Sequence, residues 1–285
     1  IIVPGDRPWT KKEIEHQAVQ IATMAKFNGG ANCGRPQTLV TSKHWPQRKE
    51  FLDALRVAIS ETTPAMGMYY PGADKVVDGF RQAYPDAEVL SPEGGKYPHT
   101  DVILLTDVEP GGYATSHEAF SLVLAEVPLD LPANAAHFLP GAVKFANTQL
   151  LGTLASAILI DEDTRKAHQK LLEQAVSDLE YGAVAINSMP SFIFLNPYLT
   201  WGGNEAGKTF VSGRGNFGNL LNYENVEKSI MEAKFMSPGH MLYTNKRAFD
   251  NMAGNMANFA VEPTWMNLTC LMGDAIRDSF RKKDF

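Results

Sequence analysis

Cysteine is scarce in this sequence: Cys33 and Cys270 are its two cysteines among 285 residues. Two isolated thiols provide neither a disulfide framework nor the closely spaced pairs of a zinc site. The seven histidines form no His-Glu-x-x-His motif, and none is spaced with a cysteine as metal ligands are, so we predict no metal site. The scarcity of cysteine favours a reducing compartment, and we expect a cytoplasmic protein.

The sequence also has fewer basic than acidic residues. Lys and Arg total 26 against 32 Asp and Glu, which gives a formal net charge of −6. This balance argues against nucleic acid as a partner, because binding to a phosphate backbone needs a basic face. No apolar run reaches the length of a membrane span, and no signal peptide is visible. We therefore expect neither a nucleic-acid partner nor a membrane partner.

The chain does contain a regular alternation of apolar and amphipathic segments. Hydrophobic residues make up 44% of the sequence, which is enough for a substantial core. Short apolar segments predict strands, and apolar residues at helical spacing predict helices. We expect strands at residues 37–41, 102–105, 122–127, 154–160 and 184–187, and helices at residues 10–27, 47–61, 73–84, 136–147 and 164–181. The fold class is therefore α/β, with a mostly parallel sheet flanked by helices.

The last third of the chain has a different pattern. Residues 190–222 are rich in glycine, asparagine and aromatic residues with little periodicity, which is typical of a functional loop region. Residues 226–235 predict an edge strand or a short helix. Residues 247–262 and 265–281 predict two terminal helices. A helical C-terminal extension is therefore expected to follow the α/β domain.

One short stretch, residues 27–33, brings a cysteine to the end of a predicted helix. Its sequence is Phe-Asn-Gly-Gly-Ala-Asn-Cys. Gly29 and Gly30 can take the positive φ of a helix C-cap, so that a tight turn presents Cys33 beside open backbone N–H groups. Such groups favour a thiolate and can hold an oxyanion. The residues alone leave two interpretations open: a catalytic nucleophile or a small buried cysteine.

Three further features have a structural and a functional interpretation. Cys270 lies in an apolar helical stripe with Leu268 and Met272, which favours a buried core thiol. Residues 213–218 match Gly-x-Gly-x-x-Gly, but without a preceding strand or a following helix they are expected to form a loop rather than a dinucleotide fingerprint. Glu118, just before a predicted strand, is either a base or ribose ligand or a solvated loop acid.

Several of these stretches, in order, resemble the aldehyde dehydrogenase superfamily from about residue 1 to about residue 235. Residues 27–33 match its nucleophile motif Phe-Asn-x-Gly-Gln-x-Cys, except that Ala31 replaces Gln. Glu118-Ala119-Phe120 resembles its Glu-x-Phe-Gly-Pro element, with Ser121 and Leu122 replacing Gly-Pro. Weaker matches follow at residues 145–157, 185–187, 201–203 and 212–213.

The resemblance implies an NAD(P)-dependent aldehyde dehydrogenase. Cys33 would be the catalytic nucleophile that attacks a small-molecule aldehyde, forming first a thiohemiacetal and then a thioester. Glu118 would contact the ribose on the nicotinamide side of the cofactor, NAD or NADP, and Phe120 would pack near the nicotinamide ring. The acceptor of the acyl group is water or coenzyme A.

The same resemblance predicts the partners of this chain. The family's general-base glutamate and its Rossmann half are not present, so we expect an N-terminal cofactor-binding half of the same protein as a partner. Residues 1–222 would form the catalytic-cysteine α/β domain. Residues 223–285 would form an oligomerisation segment and the helical C-terminal extension, and a homo-oligomer is expected.

Two alternatives to this function remain open. Residues 201–204, Trp-Gly-Gly-Asn, are reminiscent of the coenzyme A-acylating branch of the superfamily. The departures at Ala31, Ser121 and Leu122 are compatible with a non-catalytic member that acts as a structural protein.

Overall fold

A computed structural model describes residues 1–92, 100–204, 213–237 and 246–279. The helices are α1 (Lys11–Lys26), α2 (Arg48–Val57), α3 (Ala73–Ala83), α4 (Tyr113–Ser116), α5 (Ala135–Gln149), α6 (Glu162–Ala167), α7 (Gln169–Asp178), α8 (Ser191–Phe194), α9 (Lys246–Val261) and α10 (Trp265–Ser279). The strands are β1 (Thr38–Ser42), β2 (Glu88–Leu90), β3 (Val102–Leu105), β4 (Val123–Leu129), β5 (Ala155–Ile158), β6 (Ala183–Ile186), β7 (Trp201–Gly202), β8 (Asn216–Phe217) and β9 (Ser229–Glu232).

Two sheets make up the centre of the fold, in the orders β1-β4-β3-β2 and β5-β6-β9. All of their pairings are parallel except that of β2 with β3. Residues 1–3 join them: Ile2 donates its N–H to Val40 O, and Val3 donates to Leu159 O, each at 2.9 Å. The two linked sheets are mostly parallel and lie among helices, which confirms the predicted α/β fold class.

Helices cover both faces of this sheet, as its strand sequences require. On β4, Leu124 joins a core with Ile14 of α1 and Phe51 of α2. Val123 and Ala125 face the other way and pack with Phe80 of α3 and Phe138 of α5. Because successive side chains of a strand point to opposite faces, a strand covered on both sides is mostly apolar, and the buried exception on β4, Glu126, pairs with Arg48 of α2.

Local signals fix the ends of α1 as predicted. The Thr10 side chain accepts the N–H of Glu13, and the Glu13 carboxylate accepts the N–H of Thr10, which is a capping box. The helix then buries Ile14, Ala18 and Ile21 and ends at Lys26. The predicted helix start and apolar stripe are therefore both confirmed.

Two predictions are refined by the structure. The predicted helix at residues 164–181 is two helices, α6 and α7, that meet at a kink at His168, whose ring contacts the Asp6 carboxylate at 2.7 Å. Residues 226–235 contain the strand β9, which pairs in parallel with β6. Short elements such as α4, α8 and the β7–β8 pair had no sequence signal.

The predicted burial of Cys270 is wrong. The two terminal helices form as expected and pack on each other, but Cys270 on α10 is exposed. Trp265 and Met272 on the same helix are 84% and 57% exposed. Helix α9 packs on α10, but within the described residues it leaves Cys270 and Met272 uncovered. Across the described ranges, no helix is both long and apolar enough to cross a membrane.

Candidate functional site

The turn before Cys33 has the backbone that the glycines predicted. Helix α1 runs into a short 3-10 segment, Phe27–Gly30, in which Gly29 and Gly30 have φ values of 65° and 77°. Both glycines also meet other backbone closely. A Cβ atom would lie 2.1 Å from Gly67 O if added to Gly29, and 2.4 Å from Ser121 O if added to Gly30. The two glycines therefore permit the turn and its close packing at once.

A buried lysine at the end of α1 anchors this turn to a neighbouring segment. Lys26, the last residue of α1, is 2% exposed. Its Nζ donates to Ile59 O at 2.7 Å, to Thr63 O at 3.0 Å and to Thr63 Oγ1 at 2.9 Å. Burial lowers the pKa of Lys26 to about 7. The ammonium group ties the end of α1 to the π-helical turn Ala58–Thr62, a role that sequence reasoning missed.

Cys33 itself is exposed, which excludes the interpretation as a buried core thiol. Its two neighbours are fixed by one side chain: Asn32 Oδ1 accepts from Gly34 N–H at 2.9 Å and from the Ser191 hydroxyl at 2.6 Å. The thiol is therefore presented to solvent by a turn that is itself well anchored.

Cys33 and Glu118 line one cavity of about 410 Å³. Glu118 is exposed there, beside His117, so the sheet brings the predicted nucleophile and the predicted ribose ligand to the same space. Phe120 does not line this cavity. It is half-buried with a positive φ of 41°, and its ring lies 5.8 Å from that of Tyr70.

Arg35 lines the same cavity as Cys33 and Glu118, and sequence reasoning did not single it out. Its guanidinium donates to Val123 O and, at 3.4 Å, to Ala25 O. Burial lowers the pKa of Arg35 to about 10, and the negative charge of Glu118 opposes this shift. Within the described ranges, Nη1 of Arg35 is buried without a hydrogen-bond partner.

The floor of the cavity is a slot between β1 and β5. Residues 38–40 line one side and residues 155–157 the other, and Ile1 lies between them, where its amino group donates to Ala157 O at 2.7 Å. Ala155, Ser156 and Ala157 are half-buried, whereas the neighbouring strand β6 is fully buried. The cavity thus lies beside the exposed side of β5.

Two other sequence features have structural positions. Residues 213–218 belong to a turn and to β8, which pairs antiparallel with β7, so in the described chain their Gly-x-Gly-x-x-Gly pattern leads into a strand and does not open a helix. Asn187 is buried and exchanges two hydrogen bonds of 2.9 Å with the backbone of Ile160. Ser212 lies outside the described residues. Among those that are described, no group of three His, Cys, Asp or Glu residues is placed to hold a metal ion.

The fold is shared with part of several aldehyde dehydrogenase structures. NADP-dependent glyceraldehyde-3-phosphate dehydrogenase from Bacillus halodurans C-125, complexed with NADP, is 18% identical with a TM-score of 0.53, over 67% of this chain and 38% of that one. The aldehyde dehydrogenase KauB from Pseudomonas aeruginosa is 16% identical with a TM-score of 0.54, over 71% and 39%.

A further structure of this fold is 1-pyrroline-5-carboxylate dehydrogenase from Thermus with bound NAD. It is 14% identical with a TM-score of 0.53, over 71% of this chain and 37% of that one. The chain therefore spans less than two fifths of the length of the proteins it resembles in structure. No protein-family model and no curated protein sequence matches it.

Proposed function

We propose that this chain is the C-terminal, cysteine-bearing portion of an NAD(P)-dependent aldehyde dehydrogenase. The observation that supports this most directly is the position of Cys33. Within a fold shared with aldehyde dehydrogenases, an exposed thiol on a glycine turn lines the same cavity as Glu118. A nucleophile needs this combination of access and rigid support.

The chemistry assigned to Cys33 is addition followed by oxidation. Its thiolate forms a bond to the carbonyl carbon of an aldehyde, and the carbonyl electron pair moves to oxygen. The carbonyl then reforms as the carbon loses its hydrogen with both electrons, which leaves a thioester on Cys33. NAD or NADP, when bound, takes up this hydride. Transfer of the acyl group to water or coenzyme A restores the thiol.

The residues of this chain fit one end of such a cofactor. Glu118 is an exposed carboxylate in the cavity, and a carboxylate can accept hydrogen bonds from both hydroxyls of a ribose. We assign it to the ribose on the nicotinamide side. Phe120 is assigned to the surroundings of the nicotinamide ring from the family resemblance, although it does not line the same cavity.

The exposed side of β5 supports the proposed N-terminal partner. Residues 155–157 are half-buried and line the cavity, so a further domain packed there would cover them. We propose that a cofactor-binding half of the same protein covers this region and supplies the general base. The strand β9 is the edge of the sheet, with Ile230 46% exposed, and we propose it as the contact of a homo-oligomer.

Replacement of Cys33 tests the proposal. In a protein that carries both halves, Cys33→Ser should abolish aldehyde-dependent formation of NAD(P)H while cofactor binding, measured by calorimetry, survives. Cys270→Ser is the matched control and should keep full activity, because Cys270 lies on α10. Retained turnover in Cys33→Ser contradicts the assignment. The 285-residue chain alone should show no turnover.

Product analysis separates the alternatives. Formation of a carboxylic acid without coenzyme A supports the hydrolytic enzyme, and formation of an acyl-coenzyme A supports the acylating branch. A non-catalytic structural protein predicts neither product. It also predicts that Cys33 reacts with thiol reagents no faster than the exposed Cys270.

A further inference from the structure

One side chain joins the turn that carries Cys33 to a distant part of the fold. Asn32 Oδ1 accepts a hydrogen bond from the Ser191 hydroxyl at 2.6 Å, and a second from the N–H of Gly34 at 2.9 Å. Ser191 lies 159 residues further along the chain, at the start of α8. The side chain of Asn32, which precedes Cys33, therefore accepts from the backbone of Gly34, which follows Cys33, and from a serine of another segment.

Gly34 shows how tightly the two segments fit. A Cβ atom at this position would lie 2.4 Å from Ser191 Oγ and 3.0 Å from the Trp201 ring. The φ of Gly34 is not positive, so glycine is required here for the close approach and not for its backbone freedom. The absence of a side chain leaves room for the Ser191 hydroxyl to reach Asn32.

The hydrogen bonds also define which way the Asn32 amide faces. Because Gly34 can only donate, the atom that faces it must be the amide oxygen. The amide nitrogen then points elsewhere, and it has no hydrogen-bond partner in the part of the chain that the structure describes. An amide oxygen that accepts two hydrogen bonds polarises its own N–H groups, which makes them stronger donors.

We propose that Ser191 is a positioning residue for Cys33, acting through the side chain of Asn32. By fixing the amide oxygen of Asn32, the Ser191 hydroxyl would leave the amide N–H groups of this residue, the chain neighbour of Cys33, available to stabilise negative charge on sulfur. Asn32 occupies a variable position of the nucleophile motif, and Ser191 lies outside that motif. This inference rests on one part of the proposed function, namely that Cys33 is the nucleophile.

The test compares alkylation of both cysteines in the full chain by iodoacetamide, with peptide mass spectrometry, across a range of pH. In Ser191→Ala, we expect Cys33 to react about fivefold more slowly near neutral pH, because one hydrogen bond contributes about 1 kcal/mol. The inflection of its pH profile should move upward, while Cys270 in the same sample is unchanged. Ser191→Thr keeps a hydroxyl and should keep the wild-type profile. Ser177→Ala, on an exposed site of α7, is the matched control.

A double-mutant cycle tests whether Ser191 acts through Asn32. Asn32→Ala alone should also slow Cys33, and adding Ser191→Ala to it should have no further effect. The proposal is overturned if Ser191→Ala matches the wild type, or if it slows Cys33 by the same factor in both backgrounds. The wild-type ratio of Cys33 to Cys270 is a separate result: equal rates contradict the proposed function, whereas the variant ratios decide the role of Ser191.

Discussion

The two glycines before Cys33 allow a quantitative test of how the turn is built. Gly30 has a φ of 77°, and a Cβ atom there would lie 2.4 Å from Ser121 O and 2.5 Å from its carbonyl carbon. Gly72 has a similar φ of 84°, but a Cβ atom there meets nothing within 4 Å. The two positions therefore have nearly the same φ, but they differ in the space available for a side chain.

This difference sets the expected losses of stability. Placing an alanine in the left-handed region costs about 1 kcal/mol at either position. Gly30→Ala must in addition move backbone of Ser121, and overpacking of this kind costs about 1–3 kcal/mol more. We therefore expect the free energy of unfolding to fall by about 1 kcal/mol in Gly72→Ala and by about 2–4 kcal/mol in Gly30→Ala.

Urea unfolding of both variants beside the wild type measures these losses. The slopes against urea concentration should agree, so that the midpoints can be compared directly. Equal losses in Gly30→Ala and Gly72→Ala would refute the close approach of the turn to Ser121. A loss confined to Gly72→Ala would contradict the description of both sites.

Two further predictions concern ionised groups near α1. Lys26→Met should lower the free energy of unfolding by about 1–3 kcal/mol, because buried acceptors of Ile59 and Thr63 lose their donor, and unchanged urea midpoints would contradict this. Arg7 holds the pKa of Glu13 at about 2 by hydrogen bonds, so the stability this pair contributes is present above the ordinary value of 4.5 and is lost as the pH falls toward 2. In urea titrations at several pH values, the unfolding free energy of Glu13→Gln should fall less than that of the wild type as the pH drops from 4.5 toward 2. The same pH dependence in both proteins would disprove the role of this pair.

The features that the sequence predicted well are those encoded locally. The start of α1 needs only Thr10 and Glu13, three positions apart, and the turn takes its positive φ values at three consecutive residues, Asn28, Gly29 and Gly30. The apolar strands were predicted for a similar reason, since a strand covered on both faces is mostly apolar along its length. None of these signals depends on distant residues.

The features that were missed or wrong depend on contacts between distant segments. The Ser191–Asn32 hydrogen bond and the joining of two sheets by residues 1–3 have no local pattern. Cys270 shows a related difficulty. Its apolar stripe predicts that one side of α10 packs against another element, but it does not show which residues of that side stay exposed when α9 packs on α10.

The central claim is that an acyl group is carried on Cys33 during aldehyde oxidation. It is tested most directly by rapid acid quenching of a protein with both halves, mixed with an aldehyde and NAD or NADP, followed by peptide mass spectrometry. The account predicts an acyl adduct on the peptide that contains Cys33, formed only when oxidised cofactor is present. Turnover without any adduct on Cys33, or with an adduct on Cys270 instead, would contradict it.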